Sequence, residues 1–365
     1  MDASVHSGPG LAGAQRRRSA RPAAAAPASE WRAGIVLALG LLLAVAVGSA
    51  LGAVPVRLAD WWPWTAEPSG SAHVLWHLRL PRVLLAAAVG AALGVAGALA
   101  QGLFRNPMAD PGLLGVTSGA VCAAALVLTV FAAASSGLPA TWRPWVLPAS
   151  AFLGALAVCA VLEGLARWLT PGSISGLLLT GLALNALTMA VVGLCTYIAT
   201  DEQLRSLSFW TLGSLAGAGW AIVGVLAVAV LLGLVAGARL AQSLNALALG
   251  EAVAAQVGVN VRQLRTRLVM LVALLCALAV AWCGLIGFIG LMAPHFVRGW
   301  ARADQRALLP LAALAGALLL VLADTAARTV ATPAEIPVGI LTALIGAPAF
   351  LVLLWRLARP QGGAA

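Results

Sequence analysis

Ten apolar runs, parted by short polar or Pro/Gly breaks, set the frame of this sequence. They cover roughly 33–53, 80–104, 113–134, 145–168, 174–199, 217–238, 268–283, 288–299, 307–325 and 338–356. Most are long enough to cross a bilayer as a helix, which takes about 18–20 apolar residues. Asn106-Pro107 and Asp110-Pro111-Gly112 stop the second run and re-aim the chain into the third. Gly284 and Gly287 make a tight bend between the seventh run and a short eighth. The pattern predicts an all-α polytopic membrane protein with ten transmembrane helices.

Two polar stretches break the pattern at greater length. Val54–Trp76 holds Trp61, Trp62, Trp64 and Trp76 among prolines, as expected at a membrane–water interface. It reads as an outer-surface loop with a short helix lying on the membrane. Arg239–Arg267 is the longest polar stretch within the membrane domain, and Thr200–Ser208 is a shorter one on the outer side. Residues 1–30 are rich in Ala, Pro, Ser and Gly, with Arg16, Arg17, Arg18 and Arg21, and cannot build a core. They read as a disordered cytoplasmic tail ahead of an uncleaved first helix, with the membrane domain running 31–365.

Composition agrees. The chain is 62% hydrophobic and 9% charged, against about 25% charged in an ordinary soluble domain. The net charge of +10 reflects the excess of basic residues in cytoplasmic loops rather than nucleic acid binding. With both termini inside, sixteen arginines fall on the cytoplasmic side and six outside. The 39 glycines, mostly within the spans, suit a dense bundle. The second to fifth and seventh to tenth spans enter with opposite sense, the pattern of an inverted repeat.

Several chemistries are excluded or disfavoured. All 22 basic residues are arginine, so no Walker A lysine exists and ATP hydrolysis cannot be this chain's own. Cys122, Cys159, Cys195, Cys276 and Cys283 form no C-x-x-C pair and read as packing residues. No metal site and no catalytic residue is assigned. The spans hold almost no ionisable group at mid-depth, which argues against a proton-coupled carrier. No H-E-x-x-H or paired-aspartate motif supports an intramembrane enzyme.

Four motifs go further. Arg79-x-Pro81-Arg82 precedes a Gly/Ala-rich run, Gln101, and then N-P-M-A-D-P-G-L-L-G-V-T-S-G-A from Asn106 to Ala120. Leu249–Val261 reads LGEAVAAQVGVNV, and Gly284–Arg298 reads GLIGFIGLMAPHFVR, followed by Asp304-Gln305-Arg306. Asp324, Arg328, Glu335-x-Pro337-x-Gly339 and Gly346-Ala347-Pro348-x-Phe350 complete the set. Together they resemble the permease family of bacterial ATP-driven importers for iron-siderophores, haem and cobalamin. The resemblance covers about residues 33–357.

That resemblance implies a type II ABC importer permease fold in the bacterial inner membrane. It implies a homodimer, two ATP-binding subunits holding ATP and Mg, and a periplasmic substrate-binding protein. This chain itself would bind no cofactor and meet only substrate, lipid and those partners. Leu249, Gly250, Glu251, Ala254 and Gly258 match the element that couples to the ATPase. Arg79, Arg82 and Arg328 match the arginines that dock the binding protein. Ser173, Ile174 and Ser175 match a cytoplasmic gate, although helix capping by Ser173 or Ser175 explains the serines equally well. His295 belongs to the motif, and structural hydrogen bonding is the expectation for it. Asp201–Gly219, DEQLRSLSFWTLGSLAGAG, is most similar to haem permeases, whereas Pro111–Ala120 is closer to the cobalamin permease. Haem is the favoured cargo, with His73 and His77 of the outer loop as possible haem contacts.

Overall fold

The computed structural model describes residues 28–62, 70–301, 304–332 and 334–358. The proposed tail therefore lies outside the described residues, except that Ala28–Glu30 already belong to the first helix. In chain order the helices are α1 (Ala28–Ala50), α2 (Gly70–His73), α3 (Leu80–Phe104), α4 (Val116–Leu128), α5 (Ala132–Ser136), α6 (Arg143–Leu169) and α7 (Ile174–Ile198). There follow α8 (Asp201–Thr211), α9 (Trp220–Ala248), α10 (Glu251–Gln256), α11 (Val261–Cys283), α12 (Ile289–Ala301), α13 (Gln305–Thr329) and α14 (Val338–Ala358). Among the described residues, eight helices are long and apolar enough to cross a membrane. The other two expected spans are α4 and α12, of 13 residues each.

At 1.5 Å per residue those two helices reach only about 20 Å, short of a hydrocarbon core of about 30 Å. Irregular backbone makes up the difference. After Arg105 the chain turns back along the interior. Leu113 comes against Gly181 of α7 and Gly115 against Val158 of α6. Likewise Gly284–Phe288 is walled in by Trp210 at the end of α8 and by Gly339 and Gly346 of α14. Such backbone is tolerated at membrane depth when protein surrounds it. The end of α3 meets the start of α11, Arg105 and Arg265 both lying against Glu251, so these two helices run in opposite senses.

α3 is the axis of the bundle, flanked by α9, α11, α12 and α13. Glycine sets how close they come. A Cβ on Gly90 would lie 2.2 Å from the Gly316 carbonyl oxygen, and one on Gly94 would lie 2.2 Å from that of Ala312. Gly90-x-x-x-Gly94 on α3 thus packs on Ala312-x-x-x-Gly316 on α13, small residue against small residue. Gly119 and Gly154 join α4 to α6 in the same way, each with its would-be Cβ 2.6 Å from the other's carbonyl oxygen.

Several element boundaries differ from expectation. The helix expected at 80 begins at Gly70, and its Val74–Arg79 part is wound as a π-helix. Pro81 supplies no N–H and crowds the carbonyl four residues back, which favours the wider turn. The polar segment after α7 is itself a helix, α8, whose Thr200–Gln203 capping box starts it. The long polar stretch 239–267 is mostly helical too. α9 extends to Ala248 and α11 starts at Val261, so the loop element proper is only 249–260.

Candidate functional site

The arginine-rich end of the bundle is built around α10. Gly250 (φ 122°) starts this short helix and Gly258 (φ 85°) follows it, both in backbone that other residues rarely adopt. Asn260 then caps α11, its side-chain oxygen accepting from the Gln263 N–H at 3.0 Å. The result is one tight turn of helix held between two long ones. Its inner side is Ala254, fully buried, while Leu249 is 74% and Val257 66% exposed. Apolar side chains projecting from a compact element suit insertion into a partner's cleft.

Glu251 anchors α10 to its surroundings. Its Oε1 lies 3.6 Å from Nη2 of Arg265 on α11 and 4.0 Å from Nη2 of Arg105, the residue ending α3. The Arg265 Nη2 also donates to the Gly172 carbonyl at 2.7 Å, in the turn between α6 and α7. Next to it, the Thr266 hydroxyl donates to Glu163 of α6 at 2.7 Å. Glu163, Gly172, Glu251 and Arg265 line a cavity of about 140 Å³, with Arg167 and Arg262 also on its wall. Ser173 is a helix cap: its hydroxyl oxygen accepts from the Gly176 N–H at 2.9 Å. Ile174 packs on the core and Ser175 is exposed.

Two more ties sit at this end. Asn245, near the end of α9, donates to Asp304 at 2.8 Å and accepts from the Gln305 N–H at 3.0 Å, joining α9 to the start of α13. Buried Gln101 of α3 donates to the Leu291 carbonyl at 3.1 Å and accepts from Arg298 at 2.5 Å, joining α3 to α12. Nδ1 of His295 is buried with no hydrogen-bond partner among the described residues.

At the opposite end Arg79, Arg82 and Arg328, the arginines expected to dock a binding protein, do not stand free. Arg79 is buried and donates to the carbonyls of Ala50 at 3.0 Å and of Val54. Arg328 is buried too, donating to Gly48 at 2.9 Å and to Asp324 at 3.0 Å. Arg82 pairs with Asp324 at 3.0 Å and Glu335 at 2.8 Å. Asp324 is fully buried, whereas the Glu335 side chain is half exposed. Arg82 and Arg328 therefore join α3 and α13 at one carboxylate, and Arg79 and Arg328 tie in the end of α1. Their internal bonds follow from solvation: a buried guanidinium must spend its donors inside the protein. His73 and His77 lie on the exposed face of the same end, their rings stacked 4.3 Å apart and 16° from parallel.

Residues 38–356 match the profile of the FecCD transport family. The chain belongs to that family. It is 46% identical over 324 residues to the hemin transport system permease protein HmuU of Yersinia pestis, covering 88% of this chain and 95% of that one. It is 40% identical over 330 residues to the vitamin B12 import system permease protein BtuC of Vibrio cholerae, covering 89% and 95%. A solved structure described as an inward-facing conformation of a metal-chelate type ABC transporter superposes with a TM-score of 0.78. It is 34% identical and covers 89% of this chain and 99% of that one.

This FecCD chain is thus an ABC importer permease, a multi-pass protein whose family works with an ATPase and a substrate-binding partner in the bacterial inner membrane. Its relatives are permease proteins, and it is a transport subunit of such an importer. Sequence motifs located α10, the arginines and the serines. They did not show Arg265, Arg105, Asn245 and Thr266, the side chains that tie those parts together. Arg265 lies within the charged stretch already singled out, but its acceptor, Gly172, is a backbone carbonyl 93 residues away.

Proposed function

We propose that this permease carries haem from the periplasm to the cytoplasm. The observation supporting that cargo is the Asp201–Gly219 segment, whose Asp201, Gln203, Leu204 and Arg205 resemble haem permeases. The 46% identity to the hemin permease, against 40% to the B12 permease, points the same way. The segment forms α8 and the turn after it, and Trp210 of α8 and Gly213 of the turn meet the broken backbone at Gly284 and Leu285. The exposed His73–His77 pair is then the natural first contact for haem iron on entry. The second reading keeps the same machine and loads it with cobalamin or a ferric siderophore. It is favoured by the cobalamin-like Pro111–Ala120 segment.

The working unit in this proposal is a homodimer with two ATP-binding subunits and a periplasmic binding protein. ATP and Mg are held by those subunits. Leu249–Gly258 enters the ATPase cleft, the arginine-rich end with both termini faces the cytoplasm, and Ser173–Ser175 lies at the inner mouth of the pathway. Arg82 is the arginine best placed for docking, because the carboxylate it holds, Glu335, is half exposed and open to exchange. Arg79 and Arg328 brace that face from beneath.

The deciding experiment is uptake into liposomes holding the permease, its ATPase, the binding protein and ATP. Haem, a ferric siderophore and cobalamin are offered separately. ATP-dependent accumulation of haem alone is expected. Accumulation of cobalamin or the siderophore instead would discard the haem reading. Uptake indifferent to ATP would overturn the importer itself.

A further inference from the structure

We infer that Arg265 is the positioning residue through which α10 controls the inner mouth of the pathway. The inference rests on the proposed coupling role of 249–258 and adds the route by which motion there reaches α7. A single nitrogen, Nη2, lies between two acceptors on different parts of the chain. It is 2.7 Å from the Gly172 carbonyl and 3.6 Å from the Glu251 carboxylate. The first is a committed hydrogen bond and the second an ion pair with room to shorten. The other partner of Glu251, Arg105, stands further off at 4.0 Å.

The placement makes this nitrogen a divider. Glu251 is the first residue of α10, so its carboxylate moves with that helix. Gly172 belongs to the turn that sets the start of α7, one residue before the Ser173 cap. That turn has no slack: a Cβ on Gly176 would lie 2.0 Å from the Thr170 hydroxyl oxygen. Displacing the Gly172 carbonyl must therefore displace the first turn of α7. Meanwhile the root of Arg265 is fixed, because Thr266 beside it is tied to Glu163 of α6. A shift of Glu251 toward Arg265 strengthens the ion pair and draws the guanidinium off Gly172. A shift away leaves it on Gly172. The guanidinium Nε is buried with no partner among the described residues, so the head is held through its far end and free to swing.

The test uses the complete transporter in lipid nanodiscs and liposomes. Its cargo probe is whichever of haem, cobalamin and a ferric siderophore the wild-type complex accumulates. Arg265→Gln is expected to copurify with the ATPase and hydrolyse ATP within twofold of wild type, while uptake per ATP falls at least tenfold. Hydrogen exchange adds a readout that a merely structural role would not move. ATP should change the protection of the 173–177 amides in wild type, and that change should vanish in Arg265→Gln. Arg265→Lys, which keeps the charge and three donors, should recover part of both. An unchanged uptake-to-hydrolysis ratio, or an intact ATP response at 173–177, overturns the relay. Should Arg265→Gln fail to assemble, Arg265→Lys carries the test alone, and a wild-type uptake-to-hydrolysis ratio with a full ATP response at 173–177 then overturns the relay. The coupling reading is tested separately by Leu249→Arg and Val257→Arg. If these still copurify with the ATPase at wild-type yield, that reading falls. If they lose it while Arg265→Gln transports normally, only the relay falls.

Discussion

Asp324 and Arg328 lie one turn apart on α13, the carboxylate oxygen 3.0 Å from the guanidinium Nε, both withdrawn from solvent. The same carboxylate receives Arg82 from α3 at 3.0 Å. One buried anion thus holds two cations on two helices, while Arg328 also grips the end of α1.

Removing that anion should be severe. Asp324→Ala leaves two largely buried cations without their shared partner, which costs about 3–5 kcal/mol. Glu335→Gln removes only a half-exposed partner and should cost about 0–1 kcal/mol. Thermal unfolding of the detergent-solubilised permease compares the two. Equal losses would show that the network does not centre on Asp324.

Close helix packing gives a second contrast. Gly94→Val drives a side chain into the Ala312 carbonyl, 2.2 Å from a Cβ, and should abolish folded protein. Gly164→Ala, on α6, meets nothing within 4 Å and should stabilise by about 0.5–1 kcal/mol through helix propensity. Yield of monodisperse protein and melting temperature read both.

Capping and gating can be told apart at Ser173. Ser173→Ala removes the acceptor for the Gly176 N–H and should cost about 0.5–2 kcal/mol at the start of α7. Ser173→Asp keeps an acceptor there. If capping is what the serine does, exchange of the Gly176 amide rises in the first variant and not in the second, and uptake follows the same order. If a small hydroxyl is needed in the pathway, Asp fails as badly as Ala.

The stacked histidines offer a test of cargo. Replacing His73 and His77 together by Ala should raise the KM for haem uptake several-fold and leave kcat near wild type. Should cobalamin be the cargo, the same variant should transport it unchanged. A visible absorption titration of haem against wild type and variant checks the contact directly.

The bilayer made most of this fold legible. Apolar length alone placed α1, α6, α7, α9, α11, α13 and α14, because a span has to satisfy its own backbone in lipid. The same rule said little about α4 and α12, whose missing length is irregular chain sheltered by protein. The extension of α9 to Ala248 was hidden because a helix leaving the membrane turns polar without ending. At the site, the motifs found Glu251, Ser173 and the arginines by resemblance. The bonds from Arg79 and Arg328 to α1 were not legible, since those acceptors are carbonyls of α1 and the loop after it, which any sequence would supply.

The attachment of α1 has a consequence for biosynthesis. Its end is gripped by Arg79 and Arg328, and its face packs on α13 at Gly48 and Thr325. Arg328 is made 280 residues after Gly48. At about 5–20 residues per second, some 15–55 s of translation separate the two. Through that interval the first span to leave the ribosome has none of its α13 contacts. Until then it is held in lipid by its apolar length and, at its end, by Arg79, made 29 residues after Ala50, and its packing is complete only once α13 has been inserted.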